Sequence, residues 1–257
     1  MDHRWMPPAP PEHGAKTILL VALVTPLTVA LGTSIRVTGS ALVSSLFLCG
    51  IGGFSLLFHE AVRVALDPGE NGQPCVRRFL VVEGGAIAAL AGGLAVTHHW
   101  VWALLILLLP GIAVVAWFTR SRENPLRTAA IGVPVLGGVV PLGLSLLGIR
   151  DVGTLLTVFG IFVMFYELAV LRVGSAVGAF SLDARLVMLP PVGAVLVAGG
   201  GAVASVFGVG VPLVFGLSAL RSVNLSLRES APSLKRLGRS EALLSLVFVL
   251  SGPVLLP

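Results

Sequence analysis

LVMLPPVGAVLVAGGGAVASVFGVGVPLVFGLSAL, residues 186–220, decides how this chain is organised, because it can be read as one long helix or as a tight hairpin. The natural break for a hairpin is Gly199-Gly200-Gly201. Flanking charge separates the two readings. The segment before it holds Arg172 and Arg185, and the segment after it holds Arg221, Arg228, Lys235, Arg236 and Arg239. Basic residues collect on the cytoplasmic side of membrane spans, so both segments belong on that side and an even number of crossings must lie between them. The stretch is therefore expected to cross twice.

Working outward, apolar runs long enough to cross about 30 Å of hydrocarbon as helix fall at 17–35, 41–62, 78–97, 100–118, 128–149, 153–171, 186–200, 202–220 and 241–257. Nine spans with a cytoplasmic N-terminus put Arg4 and Lys16; Arg63, Arg77 and Arg78; Arg120, Arg122 and Arg127; and the two groups above on one side. Only Arg36 and Arg150 of the 17 lysines and arginines are left on the other. The expected fold class is thus all-α, a polytopic membrane bundle of four helical hairpins plus a ninth helix, in a single domain over 1–257. The expected location is the inner membrane.

Composition agrees. The 257 residues are 56% hydrophobic and 11% charged, with a mean hydropathy of +0.99, whereas an average soluble domain is about 25% charged. The net charge of +5 sits in the inner loops and gives no sign of a nucleic-acid groove. Cys49 lies in an apolar run and Cys75 in a polar loop, a pattern that fits neither a disulfide nor a metal site. The first run, from Thr17 to Ser34, exceeds the usual 7–15-residue core of a signal peptide and is read as a retained span. No P-loop, dinucleotide fingerprint or nucleophile elbow occurs, and the many glycines fall inside spans, where close helix packing uses them.

The polar residues that need a reason gather at the cytoplasmic ends. In FHEAVRVALDPGENGQP, residues 58–74, His59, Arg63 and Asp67 share one helical stripe and Glu60 pairs in spacing with Arg63. An interfacial helix end with Arg63 reaching toward headgroups would look the same. Glu83 lies inside the third span and Glu167, beside Tyr166, near the inner end of the sixth. A carboxyl group at such depth costs about 2.5–3.5 kcal/mol on insertion scales, less near the interface, so it tends to face a cavity or a partner. Arg172 and Arg185 are candidate partners; a polar pocket is the other explanation. His98-His99 on an outer turn reads as part of an interfacial belt with Trp100 and Trp102, in preference to a metal site.

PEHGAK, residues 11–16, resembles the N-terminal signature of the YwiC-like membrane proteins. SLKRLGRSEALLSLVF, residues 233–248, resembles the basic C-terminal loop of that family running into its last helix. A looser likeness is to the UbiA superfamily of intramembrane prenyltransferases, which have nine helices, an inside N-terminus, and catalytic loops after the second and sixth helices. Those are the places where His59–Asp67 and Glu167–Arg172 stand here. That superfamily uses two aspartate-rich motifs to hold Mg²⁺ and a diphosphate, since a hard cation needs several oxygen ligands. This chain has no DxxxD, so Mg²⁺ is a possible cofactor without a motif behind it.

These readings converge on a cytoplasm-facing polar cavity for an isoprenoid or other lipid-like substrate. Glu12, His13, His59, Glu60, Glu83 and Glu167 are the expected acid–base or ligand-orienting groups. Arg63, Asp67, Tyr166, Arg172, Lys235 and Arg236 are the expected substrate-binding groups, the arginines holding an anionic headgroup. Prenyl transfer or metal-independent cyclisation is the enzymatic expectation. A permease for a small anion or metabolite, and a non-catalytic subunit of a membrane complex, are the alternatives; membrane lipid is the expected surrounding partner in each.

Overall fold

The computed structural model describes residues 13–33, 74–94, 133–134, 136–176, 184–204, 206–227 and 233–256, together with the single positions 39, 43, 46, 50 and 96. Every regular element among them is helical: α1 His13–Gly32, α2 Pro74–Leu94, α3 Val139–Leu146, α4 Val152–Ala176, α5 Ala184–Val203, α6 Gly210–Ser226 and α7 Leu234–Leu250, closed by a 3₁₀ turn, Gly252–Val254. The expected spans 41–62 and 100–118 lie outside the described residues, apart from single helical positions in the first.

Among the described residues one helix, α4, is long and apolar enough to cross a membrane; α1 and α5 contain the shorter apolar stretches Leu20–Gly32 and Leu189–Val203. At 1.5 Å per residue, the 25 residues of α4 extend about 37 Å. Its inward face carries Leu155, Val158, Phe162, Phe165, Tyr166 and Arg172, at the three- and four-residue steps of one helical stripe. The opposite face is apolar too: Val152 and Leu156 are exposed, as are Leu189 and Leu196 on α5, Leu213 and Leu220 on α6, and Leu243 and Leu250 on α7.

α4 packs against α3, α5 and α6, while α1 packs against α3, α7 and the 3₁₀ turn. The centre of the core is aromatic. Phe165 stacks on Phe248 with centroids 4.7 Å apart, Phe162 meets Phe248 edge-on at 5.9 Å, and Phe215 meets Phe165 edge-on at 6.4 Å. These separations fall in the range that offset and edge-to-face pairs prefer. They tie α4, α6 and α7 together through close packing, a contribution that does not depend on apolar contrast with the surroundings.

The connections follow local chemistry. α3 ends in a left-handed residue, Gly148 at φ 101°, with Gly148 N donating to Ser145 O and Ile149 N to Leu144 O. This double closure satisfies the last carbonyls of a helix, and glycine takes the left-handed conformation without a Cβ penalty. Three residues on, Asp151 Oδ2 accepts from the Thr154 backbone N at 2.7 Å and caps α4. Thr25 and Thr28 in α1 turn their hydroxyls back onto the carbonyls of Val21 and Thr25, so neither needs a partner from outside the helix.

Residues 186–220 form two helices, α5 and α6, packed on each other over much of their length. The break is displaced from its expected place. α5 continues through Gly199-Gly200-Gly201 to Val203, and the described residues 204 and 206–209 that follow are not helical. Glycine is merely a weak helix former, so three in a row do not end a helix. Termination comes where the loop can satisfy the last carbonyls: Gly201 O accepts from Val206 N and Phe207 N. Pro190 and Pro191 lie within α5 and do not end it.

Three helix ends also extend beyond the apolar runs. α4 continues to Ala176, α6 to Ser226, and α7 begins at Leu234. Arg172, Arg221 and the segment from Lys235 to Ser240, expected in loops, therefore stand on helices. Cys75, also expected in a loop, is in the first turn of α2. Hydrogen bonding of the backbone carries a helix on past the point where its sequence ceases to be apolar.

Candidate functional site

Arg172 was expected at a loop edge, and its position one turn before the end of α4 buries it to 2% exposure. A guanidinium so placed must find partners for its donors. Its Nε donates to Glu241 Oε1 at 3.0 Å and its Nη2 to Glu241 Oε2 at 2.7 Å. Nη1 reaches Ser218 O at 3.1 Å, Ser218 Oγ at 2.8 Å and Ser222 Oγ at 3.3 Å. The first pair is the two-pronged arginine–carboxylate geometry, which is short, directional and stronger than a neutral hydrogen bond.

Each partner is positioned by its helix. Ser218 and Ser222 are one turn apart on α6, and the Ser222 hydroxyl also donates to Ser218 O at 3.1 Å. Glu241 is seven residues into α7, about 10 Å along its axis from Leu234. The centre therefore joins α4, α6 and α7 near the ends where the basic residues collect. A second link lies beside it, where Arg221 on α6 donates to the hydroxyl of Ser240 on α7.

Further polar atoms stand in these helices. The Tyr166 hydroxyl is buried and faces Ser245 and Glu241 without hydrogen-bond geometry to either. Glu167 Oε1 and, on α2, Glu83 Oε2 are buried atoms with no hydrogen-bond partner among the described residues. The Tyr166 ring is held at 4.7 Å from Phe162 and 5.1 Å from Phe165. It is the one tyrosine in the chain, and its aromatic packing fixes where the hydroxyl sits.

The remaining expected site residues are distributed as follows. Lys235 and Arg236 are exposed in the first turn of α7, where Arg236 N donates to the capping Ser233 Oγ at 3.4 Å. His13 is the first residue of α1. Glu12, His59, Glu60, Arg63 and Asp67 lie outside the described residues. Among the described residues no group of three or more His, Cys, Asp or Glu is placed to hold a metal ion.

Glu241, Ser218, Ser222 and Ser245 were not anticipated. Glu241 follows KRLGRS directly and reads as the polar edge of a basic loop until the helix is known to begin at Leu234. Its signal was present nonetheless: with Glu229 it is one of two acids in a segment of five cations, and it opens an apolar run. Ser218 and Ser222 carry the four-residue spacing of one helix face, a pattern that many packing serines share. No family model, curated protein or solved structure matches this chain.

Proposed function

We propose that this chain is a multi-pass protein of the inner membrane that acts on an isoprenoid or other lipid-like substrate at a polar centre near its cytoplasmic face. In this reading the bundle has nine spanning helices, four hairpins plus one, with a cytoplasmic N-terminus, and it is akin to the YwiC-like proteins and more distantly to the UbiA superfamily. The apolar outer faces of α4 to α7 support a lipid setting.

One observation carries the functional part. A largely apolar bundle encloses a complete Arg172–Glu241 ion pair and, on the same helix α4, a buried Tyr166 hydroxyl and Glu167 oxygen that have no hydrogen-bond partner among the described residues. Unpaired polar atoms in such surroundings are costly and mark a place where a ligand or proton is handled. Arg172 is then the fixed electrostatic anchor, and Tyr166 and Glu167 are the groups that donate or accept a proton at the substrate. Glu83 is a further carboxyl of this kind, and Glu12, His13, His59 and Glu60 would form the outer part of the same mouth.

The test is mass spectrometry of small molecules retained by the detergent-solubilised full chain. The expected result is an isoprenoid, quinone or comparable amphiphile that is lost in Tyr166→Phe with Glu167→Gln while the protein stays folded. Folded wild-type protein carrying only bulk phospholipid would overturn the reading.

A further inference from the structure

We propose that Glu241 fills an internal carboxylate-binding site, and that Arg172, Ser218 and Ser222 are a receptor for the carboxylate of a ligand that exchanges with the Glu241 side chain. The inference rests on reading the Arg172 centre as functional, and it adds the chemical class of the ligand.

Three observations carry it. The guanidinium is held independently of Glu241: Nη1 alone takes the carbonyl and hydroxyl of Ser218 and the hydroxyl of Ser222. When Glu241 leaves, the edge bearing Nε and Nη2 remains presented in the same place, preorganised for two oxygens of a planar anion. Burial is also asymmetric, with Arg172 2% exposed and the Glu241 side chain 16% exposed. The carboxylate is the movable member, and its side is the side of approach. Finally, Lys235, Arg236 and Arg239 are exposed on the turns of α7 that precede Glu241. They raise the local concentration of anions at that entrance.

The exchange is cheap in electrostatic terms. One carboxylate replaces another on Arg172, so the buried centre keeps its neutral pairing, and Glu241 moves outward among cations. A tetrahedral dianion would instead add a second negative charge to a centre with one buried guanidinium. The geometry therefore favours a carboxylate.

The experiment follows thermal unfolding of the detergent-solubilised full chain in formate, acetate, butyrate and hexanoate, against chloride at equal ionic strength. Glu241→Ala is expected to melt several degrees below wild type and to regain most of that loss with carboxylates at roughly 1–100 mM, the range of a single unassisted contact. Chloride is expected to restore little. Wild type should respond only at higher concentration, because Glu241 competes. Arg172→Met with Glu241→Leu should show no carboxylate-specific response. If Glu241→Ala does not accumulate, Glu241→Gln carries the same test. Potency that climbs with chain length assigns the site to an amphiphile from the membrane, and equal potency assigns it to a soluble anion; both support the proposal. No carboxylate-specific rescue in either Glu241 variant, or equal rescue in the double variant, overturns it. Loss of this effect would leave the co-purification test untouched, and an empty preparation would leave this one untouched.

Discussion

Replacing Gly32 by alanine tests the closest approach to a glycine among the described residues. A Cβ at Gly32 would stand 2.5 Å from the Pro253 carbonyl carbon and nearer still to its oxygen and Cα. That is about 1 Å inside an ordinary contact of 3.4–4 Å, and the obstacle is backbone that cannot rotate away. Gly252 faces the reverse situation, its added Cβ meeting Thr28 of α1. To relieve either clash, the 3₁₀ turn must withdraw from α1. That withdrawal also disturbs the fully buried Leu255 and the bond from Gly208 N to Leu255 O. Overpacking of this kind costs about 1–3 kcal/mol. Against it stands the helix-propensity gain of alanine over glycine, about 0.5–1 kcal/mol. Gly32→Ala is therefore expected to destabilise, by up to about 2.5 kcal/mol. Gly85, Gly193 and Gly216, also within helices, would meet no atom within 4 Å, so only the propensity gain applies and alanine there should stabilise by about 0.5–1 kcal/mol. Denaturant titration in detergent micelles, with circular dichroism as readout, measures all four. Equal signs at Gly32 and at the three open positions would refute the docking of the 3₁₀ turn on α1.

The Arg172–Glu241 pair gives a second expectation. Glu241→Leu leaves a buried guanidinium without its counter-charge and should cost about 3–5 kcal/mol, while Arg172→Met leaves a partly exposed carboxylate and should cost less. The double variant should recover at least about 1 kcal/mol relative to the sum of the singles in a double-mutant cycle; additive losses would show that the pair is not coupled. For pH, the Thr154 backbone N–H holds Asp151 below the usual carboxylate range. Its contribution is complete above about pH 4, the ordinary aspartate value, and is lost as pH falls through the lower folded value. Melting curves from pH 6 to 3 should show wild type losing more stability than Asp151→Asn, which keeps a capping oxygen but no titration; parallel curves would contradict this. Orientation is tested by single cysteines in a variant lacking Cys49 and Cys75. Lys235→Cys should react with an impermeant maleimide only in inside-out vesicles, and Arg150→Cys only in right-side-out cells. Labelling of both from one side would reject the proposed topology.

The sequence alone determined the helical class, the division of 186–220 into two helices and the clustering of cations in a few segments of the chain. These follow from hydropathy and loop charge, which are summed over many residues and survive errors at any one of them. It also carried Glu167 as a carboxyl group in apolar surroundings, and it named Tyr166 beside it and Arg172 at the following loop edge as binding groups. Tertiary structure decided what those groups touch. Arg172 pairs with Glu241, 69 positions away, and not with the acids nearest to it in sequence; that choice is made by how α4, α6 and α7 pack around Phe165, Phe215 and Phe248. Helix ends were likewise beyond hydropathy, because hydrogen bonds and caps such as Ser233 and Gly148 set them. The shift of the α7 start from 241 to Leu234 is what turns Glu241 from a loop acid into the partner of a buried arginine. An ion pair between distant helices leaves no local pattern, since its energy depends on three-dimensional proximity that only the folded chain supplies.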